Sequence, residues 1–189
     1  GGPAEIYHLN RLKETERMLQ AFADAECILF GFPLYTDAMP GIVKRFIEAL
    51  EPLVGGESSP PLAFLVQSGF PEGLHSRYVE RYLEKLAARL RSPYLGTIVK
   101  GGGEGTRVMP PNMNQALFSN LRSLGAGLAA DGSFDPAILK EIAKPERYPW
   151  YMGPVFQVFL RLPIAHTYFD NMLEENGVFE QRFARPFAK

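Results

Sequence analysis

Three loops in this sequence carry residue types that hold ligands, and each follows an apolar run. The first is Phe32-Pro33-Leu34-Tyr35-Thr36-Asp37. Proline fixes φ and removes a backbone donor, so a loop carrying Pro33 and Pro40 holds its backbone rigid. Such a backbone can read the edge of a flat polar ligand, with Tyr35 flanking its face. The bland alternative is that proline and tyrosine only shape a strand-to-helix turn. The second loop, S-G-F-P-E-G, opens with Ser68, Gly69 and Phe70 and offers the same mixture of glycine, proline and aromatic residues. Two ordinary tight turns would read the same way. The third is the run G-G-G-E-G at 101–105, with Gly102 and Gly103 at its centre. Glycine-rich backbone can present N–H groups to anions. The run lacks the Lys-Ser/Thr ending of a phosphate-binding P-loop and the spacing of a dinucleotide fingerprint, so a flexible rim or lid fits it equally well.

Other chemistries are poorly supplied. His8, His75 and His166 are scattered, with no carboxylate or cysteine at ligand spacing, so no metal site is expected. Cys27 sits inside an apolar run and reads as a small core residue. Ser68 lacks the G-x-S-x-G context of a hydrolase elbow. No residue stands out as a strong acid, base or nucleophile. That profile suits an enzyme whose cofactor does the chemistry while the protein positions it.

The elements that must position these loops follow from periodicity. Residues 27–30 and 62–67, and 94–99 after them, are short apolar runs without alternation. That is how strands covered on both faces of a parallel sheet read. In the stretch C-I-L-F-G-F-P-L-Y-T-D-A-M-P-G-I-V-K-R-F-I-E-A-L, the first strand ends at Phe30, the loop starts at Gly31, and a helix places Ile42, Val43, Phe46, Ile47 and Leu50 on one side. A second helix over 75–91 aligns Tyr78, Val79, Tyr82, Leu83, Leu86 and Leu90 against a solvated charged face. A third spans 114–130. Upstream, the alternation in residues 4–9 (A-E-I-Y-H-L) predicts a strand, and 12–25 predicts a helix with Leu12, Met18, Leu19 and Phe22 on one side. Strands alternating with helices imply an α/β fold with a parallel sheet and right-handed crossovers. In open sheets of this kind ligands bind at the carboxyl ends of the strands, where all three loops lie.

Beyond residue 131 the alternation stops. Asp135-Pro136 reads as the capped start of a short helix, and 167–175 as another, closed by Asn176-Gly177. The stretch 131–189 reads as an aromatic-rich helical extension of one domain spanning 1–189. Much of the chain's complement of 14 Phe and 8 Tyr falls in its last third.

Composition narrows the classes further. Apolar residues make up 46% and charged residues 22%, ordinary for a globular domain. A net charge of −1 gives no electrostatic case for nucleic acid or an anionic membrane surface. One cysteine permits no internal disulfide, and with no secretory leader in view the expected location is the reducing cytoplasm.

The stretch ILFGFPLYTDAMPGIVKRFIEAL resembles the loop and helix after the third strand of flavodoxin-like NAD(P)H-dependent FMN reductases and oxidoreductases. Pro33, Tyr35, Pro40, Gly41, Lys44, Phe46 and Ile47 match that family's P-x-Y…P-G…K-x-F-I pattern. Ser68-Gly69-Phe70-Pro71 is similar to the next flavin-edge loop. GGGEGTRVMP and the closing FEQRFARPF are similar to a bacterial branch. The resemblance implies a three-layer α/β/α flavodoxin-like sheet of order 2-1-3-4-5, with FMN as cofactor and NAD(P)H as co-substrate. It implies that Pro33, Leu34, Tyr35, Thr36 and Asp37 border the isoalloxazine, and Ser68, Gly69 and Phe70 its other edge. Gly102 and Gly103 would border the nicotinamide or acceptor side. Hydride would pass from NAD(P)H through FMN to a flavin, quinone or other small electron acceptor, and the aromatic tail would form a homodimer surface. No nucleic-acid or membrane partner is implied.

One departure stands out. The family's opening strand and its Ser/Thr-rich phosphate loop have no counterpart before Ala4. Either residues 4–9 are the family's second strand in a fragment of a longer protein, the favoured placement, or they occupy the missing first strand's slot. The alternative function is therefore a non-catalytic flavodoxin-like binding or interaction domain without FMN. An acidic electron-carrier flavodoxin fits less well, because this chain is near neutral.

Overall fold

The computed structural model describes residues 4–56 and 59–185. The chain divides into two compact units, Gly1–Arg147 and Tyr148–Lys189.

The first unit is built on three parallel strands, β1 (Ile28–Pro33), β2 (Leu62–Gln67) and β3 (Tyr94–Lys100), in the order β1-β2-β3. Register runs from Ile28 opposite Leu62 to Pro33 opposite Gln67, and β3 follows from Ala63 opposite Gly96 to Gln67 opposite Lys100. Helices α1 (Thr15–Asp24), α2 (Gly41–Ala49) and α3 (Arg77–Arg89) supply one core with the first face of the sheet. Met18, Phe22, Val43, Phe46, Ile47, Val79 and Leu83 meet Phe32, Leu62, Phe64 and Val66 there. After β3 come α4 (Gly105–Val108), α5 (Gln115–Asp131) and α6 (Pro136–Ile142). Leu124 and Ile142 pack with Ala63 and Ile98 in a second core on the opposite face. Three layers, a parallel sheet and sequential strand order match the flavodoxin-like α/β arrangement the sequence implied.

Local signals account for the helix ends. Asp135 caps α6 by accepting from the Ala137 N–H at 2.7 Å, with Pro136 at the first helical position. Gly132 ends α5 in the left-handed region, φ +66°.

Six expectations need correcting. Residues 4–9 form no strand; Tyr7 and Leu9 pack against the first core while Ile6 stays exposed. Alternation selects a strand only where a neighbouring strand accepts its hydrogen bonds, and none pairs with these residues. The first strand is longer than read and runs through Phe32 and Pro33. It is not covered on both faces either: Ile28, Phe30 and Phe32 turn toward the first core, but Leu29 on the other face is 56% exposed. Cys27 precedes the strand and is exposed, not a core residue. In α3, Tyr78 is 71% and Tyr82 42% exposed, because the buried stripe is the narrower set Val79, Leu83 and Ala87. Leu12, likewise, stands apart from the buried Met18 and Phe22 of α1, in a short 3-10 turn and exposed.

The second unit carries α7 (Met152–Phe159) and α8 (Thr167–Glu175), with 3-10 turns at Pro163–Ala165 and Phe179–Gln181. The stop at Asn176-Gly177 forms as read. Gly177 adopts φ +67°, and its N–H bonds the Glu174 carbonyl. Tyr148 meets Phe156 edge-on at 5.2 Å. None of this unit's described residues is buried.

Candidate functional site

The first loop begins one residue later than β1's end suggests. Leu34 continues the pairing, donating its N–H to the Gln67 carbonyl at 2.7 Å, and its side chain is buried in the first core. Pro33 is the last residue of β1. Of the five candidate residues here, Tyr35, Thr36 and Asp37 are exposed, Pro33 is half-buried and Leu34 is buried. Tyr35 and Ala38 close a tight turn through reciprocal backbone bonds of 2.9 and 3.3 Å. Thr36 sits inside it at φ +57°. A β-branched residue in the left-handed region is strained, and strain held in place by surrounding structure clusters at functional sites. Tyr35 is 70% exposed at the tip.

The second loop is tied to the first by a contact the sequence did not reveal. Asp37 Oδ1 lies 2.9 Å from His75 Nδ1. The imidazole stacks on Phe70 with centroids 4.4 Å apart and an interplanar angle of 23°. Its Nε2 faces Glu72 Oε2 at 3.6 Å. Ser68 is buried and donates its hydroxyl to the Phe70 carbonyl at 2.9 Å, while Gly69 and Phe70 are exposed. Asp37, Leu74, His75 and Tyr78 line an open depression of about 330 Å³. His75 and Tyr78 were legible only as helix residues. Their signal is position: His75 lies in the 3-10 turn Gly73–Ser76 directly after a candidate loop, and Tyr78 in the first turn of α3 that follows.

The third loop turns inward. Gly102 donates its N–H to the Phe70 carbonyl at 2.8 Å and Gly103 to the Ser68 carbonyl at 2.9 Å. A Cβ on Gly101 would lie 2.3 Å from the Pro71 carbonyl oxygen, and one on Gly103 would overlap the Gln67 amide. Close packing against the second loop therefore requires these glycines, and the two amides are committed to protein carbonyls. Lys100, at the end of β3, is half-buried and donates to the Gly101 carbonyl. Burial holds its ammonium below the usual lysine range. It makes no ion pair among the described residues.

Behind the rim, Arg77 bonds Glu146 twice, at 2.6 Å through Nη2 and 3.0 Å through Nε, and Glu80 at 2.7 Å. The guanidinium holds the Glu146 carboxyl below its ordinary value, and the two carboxylates raise that of Arg77. Gly73 and Leu74 donate to the Pro145 and Glu146 carbonyls, at 2.9 and 3.1 Å. The 3-10 turn that carries His75 is thus anchored to the segment after α6.

Together the geometry brings the first two candidate loops into contact at the carboxyl ends of adjacent parallel strands. Gly102 and Gly103 buttress the second loop from behind. No cluster of three or more His, Cys, Asp or Glu able to hold a metal ion occurs among the described residues, and no described helix is long and apolar enough to cross a membrane.

No family model matches the chain, and no curated protein matches it. Among solved structures it is similar to an NADPH-quinone reductase from P. pentosaceus, with a TM-score of 0.44 and 15% identity over 73% of this chain and 76% of that one. It is also similar to the apo form of the NADH:FMN oxidoreductase EMOB, with a TM-score of 0.42 and 15% identity over 58% of this chain. A third similar structure is an azoreductase from Bacillus anthracis str. Sterne, with a TM-score of 0.41 and 18% identity over 70% of this chain. The chain spans 56% of the EMOB protein's length and 63% of the azoreductase's.

Proposed function

We propose that this chain carries the ring-binding side of a flavin-dependent NAD(P)H oxidoreductase. The observation that carries the reading is the paired rim: Tyr35-Thr36-Asp37 and Phe70-His75 meet across 2.9 Å at the ends of β1 and β2. A flat heteroaromatic ring fits such a rim, edge against the strained Tyr35–Ala38 turn and face beside exposed Tyr35 or Phe70. When bound, FMN supplies the redox chemistry that links a reduced nicotinamide to a flavin, quinone or other small acceptor. The protein's part is to hold the ring with backbone groups of the first loop and to exclude water with aromatic side chains.

The fit is one-sided. The ring half has a rim, but a phosphate needs free N–H donors, and those of Gly102 and Gly103 are already bonded. That observation supports the second reading, a flavodoxin-like binding domain that takes no FMN. The two separate in one titration. FMN is added to the purified protein while the visible spectrum and flavin fluorescence are followed, then NADH or NADPH is added with a quinone as acceptor. Saturable quenching, bleaching by the nicotinamide and loss of both in Tyr35→Ala and Phe70→Ala support the oxidoreductase. No uptake of FMN at tens of micromolar sinks it and leaves the binding-domain reading.

We also propose that the second unit contributes to a homodimer. Trp150 is 89% exposed, and Tyr151, Val155, Val158 and Phe159 are exposed beside it in sequence; aromatic side chains and Met are the types enriched at interface cores. Sedimentation equilibrium of the whole chain against Val158→Glu tests this, and a wild-type monomer at high micromolar concentration overturns it.

A further inference from the structure

The depression beside the rim is lined by Asp37, Leu74, His75 and Tyr78 and measures about 330 Å³. Small-molecule sites run from about 300 to 1,000 Å³, so an occupant of this one is compact. Its walls divide by chemistry. Leu74 and the Tyr78 ring are apolar, and Tyr78 is 71% exposed although it stands next to the buried Val79 in the first turn of α3. Asp37 supplies the carboxylate among these four residues.

That carboxylate is held in place before any ligand arrives. Asp37 Oδ1 lies 2.9 Å from His75 Nδ1. The imidazole is itself fixed by stacking on Phe70, with centroids 4.4 Å apart. The turn that carries it is tied down where Gly73 and Leu74 donate to the Pro145 and Glu146 carbonyls. A carboxylate offers about four acceptor sites on its two oxygens, and His75 is the side-chain partner of Asp37 among the described residues. Acceptor capacity is therefore left over at one wall of the depression.

The surrounding charges decide the sign of the ligand. Glu72 Oε2 stands 3.6 Å from His75 Nε2, which places a second carboxylate on the same imidazole. Arg77 is taken by Glu80 and Glu146. The Leu74 N–H, a donor an anion would need, is bonded to the Glu146 carbonyl. One cation does stand close: the Arg81 guanidinium lies 4.6 Å from the centre of the Tyr78 ring. The π-face of tyrosine is negative and attracts cations, so the ring suits a ligand cation and Arg81 competes for it.

We propose that this depression is a subsite for a small protonated aromatic amine, its ammonium on Asp37 and its ring against Tyr78 and Leu74. The ammonium makes a charge-assisted hydrogen bond to the carboxylate, about twice as strong as a neutral one. A neutral ring of the same size keeps the apolar contacts and loses that bond. An anionic ring is repelled by Asp37 and Glu72. The inference does not rest on the oxidoreductase reading, because the four lining residues hold these positions without a flavin on the rim.

The test titrates the 189-residue chain with benzylammonium, benzyl alcohol and benzoate in turn, at neutral pH and low salt, while amide and imidazole NMR shifts are followed. Benzylammonium should shift the Leu74, His75 and Tyr78 signals saturably, with a dissociation constant of about 1–10 mM. Benzyl alcohol and benzoate should bind at least about five-fold more weakly, and added salt should weaken the benzylammonium response. Asp37→Asn should lower the affinity about five-fold and Tyr78→Leu about three-fold. Arg81→Gln removes the competing guanidinium and should raise it at least about two-fold. Tyr78 and Arg81 are exposed, so these two variants keep the test decisive if Asp37→Asn disturbs its loop. Three results overturn the proposal: no saturable shift at these residues below about 50 mM, benzyl alcohol or benzoate binding as tightly as benzylammonium, or an affinity unchanged in both Tyr78→Leu and Arg81→Gln. No flavin or nicotinamide is added, so failure here is distinct from failure of the oxidoreductase reading.

Discussion

Replacing Gly101 by alanine tests whether the triglycine run is a buttress. The Cβ would stand 2.3 Å from the Pro71 carbonyl oxygen, 2.6 Å from its carbon and 3.0 Å from the Phe70 oxygen. All three are backbone atoms of the second loop, so no side-chain rotation relieves the overlap, and the two loops must separate. Overpacking of this kind costs about 1–3 kcal/mol. Separation also stretches the Gly102-to-Phe70 and Gly103-to-Ser68 hydrogen bonds, now 2.8 and 2.9 Å, each worth about 1 kcal/mol net. The expected loss is about 3 kcal/mol, or a fall of about 6–12 °C in melting temperature for a domain of this size. Gly102→Ala is the internal comparison. Its Cβ meets nothing closer than 3.7 Å, but its φ is +63°, so only the left-handed penalty applies, about 1–2 kcal/mol. Urea denaturation followed by circular dichroism ranks the two. A Gly101→Ala protein within 1 kcal/mol of wild type, or less damaged than Gly102→Ala, refutes the argument that this loop supports its neighbour through close backbone approach.

Thr36→Gly removes a β-branched residue from φ +57° and should stabilise the protein by up to about 1 kcal/mol, the left-handed cost less glycine's own entropy; a loss in the same denaturation assay would mean that the threonine side chain contributes more than its strain. Ser76→Ala should gain about 1 kcal/mol, because the Ser76 hydroxyl is fully buried with no hydrogen-bond partner among the described residues, and destabilisation would point to a water bonded there. Glu146 is held below its ordinary value by Arg77, so its contribution is present above the unfolded carboxylate range and lost as pH falls through the lowered folded value. Glu146→Gln should accordingly weaken the protein near neutrality and flatten the acid limb of its stability curve, and an unchanged acid limb would dismiss the pair as a pH determinant.

The elements that sequence resolved are those in which local pattern and tertiary context agree. Residues 62–66 are uniformly apolar, only Gln67 at the end is polar, and the strand lies in the middle of the sheet, so the buried-strand reading of β2 holds to the residue. Asp135-Pro136 and Asn176-Gly177 are decided within a turn and need no partner. The failures are cases where a distant neighbour decides. The apolar run at 27–30 carries the composition of a doubly covered strand, but a second cover is a property of other segments, and Leu29 lacks one. Residues 4–9 have a strand's alternation but pair with no strand among the described residues. His75 was set aside because no carboxylate lay at ligand spacing in the chain; Asp37, 38 positions away, reaches it across the ends of two strands.

That contact also reorders the site. The sequence offers three loops of similar standing, rich in glycine, proline and aromatics. In space they form a stack with a direction. The glycine run lies behind, its amides committed to the Ser68 and Phe70 carbonyls. The second loop lies in the middle, its Phe70 ring against His75. The first loop lies in front, where Asp37 closes on the same imidazole and Tyr35 stands free. In the oxidoreductase we propose, Tyr35, Thr36, Asp37 and Phe70 are the exposed groups of this rim that would touch a ligand. Gly102 and Gly103 set its position only through the loop they support. Substitutions in the glycine run should consequently alter ligand affinity in proportion to the stability they remove, whereas Tyr35→Ala should change affinity with the fold intact, and parallel measurement of both quantities across the five positions separates contact from support.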